Sequence, residues 1–210
     1  MAGETKFNWS DYYANHIDCK AQSTLIKGLE YFNKHELQFP KKSIDIGCGQ
    51  GSDVAELLSQ DWDVMAVDKE PEAEQIITKR FPEFHGTKLI TKIQVMENII
   101  IPKVTLVNAS FSLPFCHPDY FSELWTKITS SITAGGIFCG HLFGKEDGWA
   151  TNNEMTFHHR VMNVALSQPI NAELVLANNQ FNATNVCTNS ANGGSGLSQG
   201  GRGLGGADSC

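Results

Sequence analysis

The chain has 210 residues, of which 41% are hydrophobic and 19% charged, and its formal net charge is −7. That length supports one domain with a sizeable core, and the negative balance argues against a nucleic-acid partner, which calls for a basic footprint to displace counterions from phosphates. Six cysteines form no C-x-x-C pair, so neither a disulfide framework nor a zinc site is indicated. The opening Met1-Ala2-Gly3-Glu4-Thr5-Lys6 has no apolar stretch behind it, and no run reaches the roughly 18 apolar residues of a membrane span. The expectation is a cytoplasmic protein with reduced thiols, no membrane partner and no metal.

Taken in chain order, the first 160 or so residues alternate between helix and strand signals, the order that builds a parallel sheet covered by helices. Leu25, Leu29 and Phe32 form a one-sided stripe that predicts an entry helix, closed off by Pro40. Ser43 to Ile46 reads as a first strand running into Gly47-Cys48-Gly49-Gln50-Gly51, and Val54, Leu57 and Leu58 give the next helix its apolar face. A second buried strand spans Asp63 to Asp68, and Pro71 with Glu70 and Glu72 opens a helix in whose first turn acids are favoured. A third strand is expected from Leu89 to Ile93, with Met96 and Glu97 just past its end, and a fourth from Val104 to Asn108. Phe121, Leu124, Trp125, Ile128 and Ile132 repeat at the helical period, and Gly135-Gly136 is expected to stop them before a fifth strand, Ile137 to Phe143.

The glycine loop is the most informative feature. A turn between a strand end and a helix start lets a ligand approach the backbone where side chains are missing. A dinucleotide fingerprint beginning Gly47-x-Gly49 would require glycine at position 52, and Ser52 stands there; the third glycine is Gly51. Asp45 lies two residues before the loop, where a carboxylate is unhelpful to a pyrophosphate but suits a cationic sulfonium and an ammonium group. Asp68, at the end of the second strand, is placed to accept the two hydroxyls of a ribose. Nucleoside binding without phosphate is the implication.

At these residues the sequence resembles the class I S-adenosylmethionine-dependent methyltransferases, and among them small bacterial methyltransferases of the tellurite-resistance type. Asp45-Ile46-Gly47-Cys48-Gly49-Gln50-Gly51 looks like their first motif, Val67-Asp68 like their second, and Asn108 to Phe115 like the segment after their fourth strand. The resemblance runs from about Trp9 to Arg160. It implies an α/β fold, a doubly wound, mostly parallel sheet with helices on both faces, in which S-adenosylmethionine is the cofactor. By position, the methionine moiety falls to Asp45, Gly47, Cys48, Gly49 and Gly51, the ribose to Asp68, and the adenine to Met96 and Glu97; Asn108 is a further pocket candidate. The activity implied is transfer of a methyl group to a small-molecule acceptor by in-line displacement, which asks for alignment more than for a catalytic residue. If the acceptor is a hydroxyl or thiol, His141, Asp147 and His158 are candidate bases. Trp9, Tyr12, Tyr13, Phe111, Phe143 and Trp149 could close the pocket, and Trp9-x-x-Tyr12-Tyr13 looks like the lid segment of the family.

Other readings remain open at this point. A nicotinamide-dependent oxidoreductase is disfavoured by Ser52 and by the absence of a Tyr-x-x-x-Lys pair. A non-catalytic binder of S-adenosylmethionine or S-adenosylhomocysteine would keep the cofactor site and lack an acceptor pocket. Cys139 with His141, and His158 with His159, suggest metal pairs but lack a third ligand in sequence. Beyond Arg160 only Glu173, Arg202 and Asp208 carry charge, and the sequence turns rich in asparagine and then glycine. The methyltransferase-like domain is therefore drawn at 1–186, atypical from 161, with 187–210 as a disordered tail. The resemblance calls for an antiparallel strand pair after the fifth strand; Ala172 to Ala177 could be its first member, and the second is doubtful, which would leave an open sheet edge.

Overall fold

The computed structural model describes residues 8–16, 19–142, 173–178 and 181–188. Two helices, α1 (Trp9–Asn15) and α2 (Ser23–Lys34), precede an alternating series: β1 (Lys42–Ile46), α3 (Ser52–Ser59), β2 (Asp63–Asp68), α4 (Pro71–Arg80), β3 (Leu89–Ile93), β4 (Val104–Ala109), α5 (Pro118–Ser131) and β5 (Ile132–His141). Strands β6 (Glu173–Asn178) and β7 (Phe181–Thr188) follow. They form one seven-stranded sheet in the order β3-β2-β1-β4-β5-β6-β7, parallel from β3 through β6, with β7 antiparallel to β6.

Alternation along the strands sorts the core into two layers. Ile44, Ile46, Val107 and Phe138 face α5, whose stripe of Phe121, Leu124, Trp125 and Ile128 is buried against them. Val64, Ala66, Leu106, Ile137 and Cys139 face the other way, against Leu25, Leu29 and Phe32 of α2, Val54, Leu57 and Leu58 of α3, and Ile77 of α4. Each fully buried side chain of this size contributes about 1.5–3 kcal/mol of transfer free energy. The same parity that turns Val64 and Leu106 toward α3 also turns Asp68 and Asn108 that way, and on β1 it turns Asp45 opposite to Ile44 and Ile46. The polar residues at three strand ends thus converge on one side of the sheet.

The chain reverses direction across the sheet between β1 and β4, which are neighbours although β2 and β3 intervene in sequence. Crevices for ligands form outside the carboxyl ends of strands at such a switch point. Two expectations need correction. The glycines Gly135-Gly136 do not separate α5 from β5: the helix ends at Ser131 and the strand already begins at Ile132. Gly135 has φ +80°, a Cβ on Gly136 would stand 2.5 Å from the Thr105 carbonyl oxygen, and the register with β4 shifts there. These glycines let an irregular strand pass close to its neighbour rather than break a helix. The second member of the antiparallel pair is present as β7, in a segment whose polar residues mask its alternation. Asp147, Trp149, His158, His159, Phe143 and the segment beyond 188 lie outside the described residues. No helix among the described residues is long and apolar enough to cross a membrane.

Candidate functional site

Between β1 and α3 the chain turns through Gly47, Gly49 and Gly51, all at positive φ (+76°, +50° and +83°). Side-chain-bearing residues pay strain there, and two of the three positions are also closed by packing. A Cβ on Gly47 would lie 2.3 Å from the Ser112 Cβ, and one on Gly51 would lie 2.8 Å from Ile77 of α4. The loop is tied down by the Gly47 and Cys48 amides, which donate to the Val67 carbonyl at 2.7 and 3.0 Å. The Arg80 guanidinium donates to the Gln50 carbonyl, and the Ser112 hydroxyl donates to that of Ile46.

Above this loop is a cavity of about 420 Å³, within the size range of small-molecule sites. Its wall includes Asp45 near the end of β1, Gly47, Cys48 and Gly49 from the loop, Asp53 of α3, Asp68 at the end of β2 with Lys69 after it, Met96 and Glu97 after β3, and Ser110, Phe111, Ser112 and Phe115 after β4. Trp9, Tyr12 and Tyr13 of α1 complete it. Of the residues singled out from sequence, Asp45, Gly47, Cys48, Gly49, Asp68, Met96 and Glu97 therefore share one cavity wall. Gly51 and Asn108 are not part of that wall. Gly51 is spent on seating α4, and Asn108 is fully buried beneath the floor.

Asn108 has a different task from lining. Its amide Nδ2 donates to Asp45 Oδ1 and to Asp53 Oδ2, each at 2.8 Å, so one neutral group bridges two buried carboxylates. Asp53 also accepts a hydrogen bond from the Gln22 backbone N–H at 2.7 Å. Burial drives the Asp45 carboxyl well above the usual carboxylate range, Asp53 and then Asp68 add like-charge repulsion, and the Asn108 hydrogen bond works against the rise. The floor is thus short of positive charge. Sequence reasoning missed Asp53, because an acid in a helix's first turn reads as an ordinary dipole partner.

Asp68 is 7% exposed and accepts three kinds of donor: the Gly49 amide at 2.9 Å, the Glu70 amide at 2.9 Å, and the Tyr13 hydroxyl at 3.3 and 3.2 Å from its two oxygens. The Tyr13 ring lies against Gly49, where a Cβ would stand 3.1 Å from it. Trp9 packs edge-on against Phe115 at 5.0 Å, with Lys69 over its face at 5.9 Å. Helix α1 therefore crosses the mouth from the β2 side to the β4 side.

On the remaining wall, Met96 and Glu97 lie in a single 3-10 turn, Met96–Asn98. The Glu97 carboxylate accepts the His117 amide at 3.1 Å and its carbonyl accepts from Lys127 Nζ at 3.0 Å. The Cys48 thiol is pushed well up by burial and then by Asp68 and Asp45, so it stays protonated. Phe111 occupies the left-handed region at φ +53° and stacks on His141 at 4.0 Å. That places His141 behind Phe111, outside the cavity wall, with its Nδ1 3.4 Å from the Thr24 hydroxyl. Burial lowers its pKa to about 4. Among the described residues no group of three His, Cys, Asp or Glu is arranged to hold a metal ion.

No protein-family model matches the chain, and no curated protein matches it. Solved structures do. A protein from Methanococcus maripaludis, provisionally described as an S-adenosyl-L-methionine-dependent methyltransferase, is 18% identical over 67% of this chain and 68% of its own, with a TM-score of 0.52. An S-adenosylmethionine-dependent methyltransferase from Clostridium acetobutylicum is 20% identical over 62% of this chain and 56% of its own (TM-score 0.50). The cyclopropane synthase MmaA2 from Mycobacterium tuberculosis is 13% identical over 68% and 59% (TM-score 0.52). The match thus spans little more than half the length of the last two. What these likenesses show is the fold: the doubly wound, Rossmann-like α/β sheet of such proteins.

Proposed function

We propose that this chain binds S-adenosylmethionine in the cavity over the glycine loop and transfers its methyl group to a small-molecule acceptor. The observation that carries the reading is the convergence of Asp45, Asp53 and Asp68 around that loop. A pyrophosphate laid on the loop would meet the Asp45 and Asp53 carboxylates, whereas a ligand with an ammonium and a sulfonium would supply the positive charge that the floor lacks. The fold likeness to methyltransferases supports the same choice.

The residues present fit that ligand. Gly47 and Gly49 leave the backbone open, Asp45 with Asp53 behind it would face the amino-acid end, Asp68 would accept the ribose hydroxyls, and Met96 with Glu97 would flank the base. When bound, the cofactor would supply an activated methyl group on a positively charged sulfur, with a neutral thioether as the leaving group. The protein's part is to align and to exclude water. Asn108 holds Asp45 and Asp53 in place from below, and Phe111 and Phe115, after β4, give the cavity an apolar side from which water is excluded. His141 stands behind Phe111, outside the cavity wall, and the other two candidate bases, Asp147 and His158, lie outside the described residues. The net charge of −7 opposes a nucleic-acid acceptor.

The test is turnover. The protein is incubated with S-adenosylmethionine carrying a labelled methyl group and a fractionated pool of small metabolites. The reading predicts label in small organic products and an equal yield of S-adenosylhomocysteine. Stoichiometric retention of cofactor with no S-adenosylhomocysteine released from any fraction would instead mark a binder.

A further inference from the structure

We propose that Tyr13 is a displaceable occupant of the ribose seat, holding Asp68 with its own hydroxyl until a nucleoside diol expels it, so that α1 opposes binding rather than clamping the ligand. The inference rests on the reading of the cavity given above. Two features on opposite sides of one residue support it. The Tyr13 hydroxyl lies 3.3 and 3.2 Å from the two Asp68 oxygens, a bifurcated contact on the edge that a vicinal diol would use. Asp68 also accepts the Gly49 and Glu70 amides, so three donors already draw on the four or so lone-pair positions of a carboxylate. There is no room for two more hydroxyls while the phenol stays.

The ring adds a second obstruction. It packs on Gly49, the position where the missing side chain would otherwise expose backbone to a ligand. Tyr13 is 6% exposed and its ionisation is driven upward by burial and then by Asp68, so it remains a neutral donor. A residue that covers both the carboxylate and the glycine surface competes with a nucleoside for the same two surfaces.

The element that carries Tyr13 is suited to moving. Helix α1 has seven residues, is capped at its start by the Asn8 side chain, and at that same end sets Trp9 against Phe115 and Lys69. Short helices of this kind draw their order from such contacts rather than from their own hydrogen bonds. Expelling Tyr13 means breaking its bond to Asp68 and its packing on Gly49, with the Asp45–Asn108–Asp53 bridge of the floor left untouched.

The experiment compares wild type with Tyr13→Phe, using S-adenosylhomocysteine as the probe, by calorimetric titration and by amide exchange of residues 9–15. Removing the hydroxyl leaves Asp68 with two backbone donors, so the fold has no buried acceptor stranded, and equal melting temperatures check this. The proposal predicts about tenfold tighter binding by Tyr13→Phe, with faster exchange across α1 when the probe is added to wild type. Binding that is unchanged or weakened in Tyr13→Phe, or α1 amides that become more protected with the probe, would overturn it while leaving the cofactor reading intact. Failure of both proteins to bind would overturn the cofactor reading itself, and the proposal with it.

Discussion

The floor and the roof of the cavity are built on opposite principles. The floor consists of backbone at positive φ, glycines pressed against Ser112 and Ile77, and two carboxylates bridged by a fully buried amide. The roof is a seven-residue helix that sets Trp9 edge-on against Phe115 and the Tyr13 phenol on Asp68. The floor admits almost no substitution because close packing and buried charge leave nothing to relax. The roof is expected to tolerate change at Trp9 and Tyr12, whose rings are not fully buried and whose contacts are individually small. The difference teaches where chemistry is stored in this fold: position and charge below, access above.

The hardest blow to the floor is Gly47→Ala. Left-handed backbone strain and a Cβ at 2.3 Å from Ser112 act together, and the expected loss is about 4 kcal/mol of stability, read by urea denaturation. A loss below about 1 kcal/mol would show that the loop can relax and that the contrast with the roof is false. Next is Asn108→Ala, which removes two hydrogen bonds to buried carboxylates and should cost about 3 kcal/mol at neutral pH. The Asp45 carboxyl already titrates well above its usual range. As pH falls it takes up a proton and its repulsion with Asp53 is relieved, so the deficit of the variant should narrow in acid. A deficit that is constant with pH would mean that volume, not charge, is what Asn108 supplies.

A smaller effect comes from His141, at the margin of the floor. Its pKa is lowered to about 4 by burial, while the unfolded chain titrates near 6.5, about the ordinary histidine value. Above that range both states are neutral and no stability is lost; as pH falls through it, only the unfolded state takes up the proton. Wild type should therefore lose roughly 2 kcal/mol between about pH 6.5 and 4.5 relative to His141→Gln. Parallel pH profiles for the two proteins would show the imidazole to be accessible to water. The smallest effect belongs to the roof. Trp9→Ala should change stability by about 1 kcal/mol or less, and a melting temperature lowered as far as by Gly47→Ala would make α1 part of the core.

Legibility in the sequence follows the same division. The glycine loop, the strand ends at Asp45 and Asp68 and the apolar stripe of α5 are local signals, so their spacing alone placed them. Asp53, Ser112 and the role of Asn108 were not visible because each acquires its meaning from a partner more than fifty residues away in sequence. Gly51 was placed on the ligand side, since nothing in the sequence tells a glycine that admits a ligand from one that admits a helix. Gly135-Gly136 looked like a helix stop because strand irregularity and helix termination use the same residue. The β7 strand was obscured by asparagine and threonine, whose weak alternation carries little periodic signal. Tyr13 was read as a lid residue, but only the folded chain brings its hydroxyl onto Asp68.

The claim on which the account turns is that the acidic floor selects a cationic nucleoside over a phosphorylated one. Isothermal titration of S-adenosylmethionine, S-adenosylhomocysteine and NADH against the purified chain tests it directly. The account predicts micromolar binding of the first two, no binding of NADH, and loss of both interactions in Asp68→Ala with the fold retained. Binding of NADH, or binding of S-adenosylmethionine that survives Asp68→Ala unchanged, would contradict it.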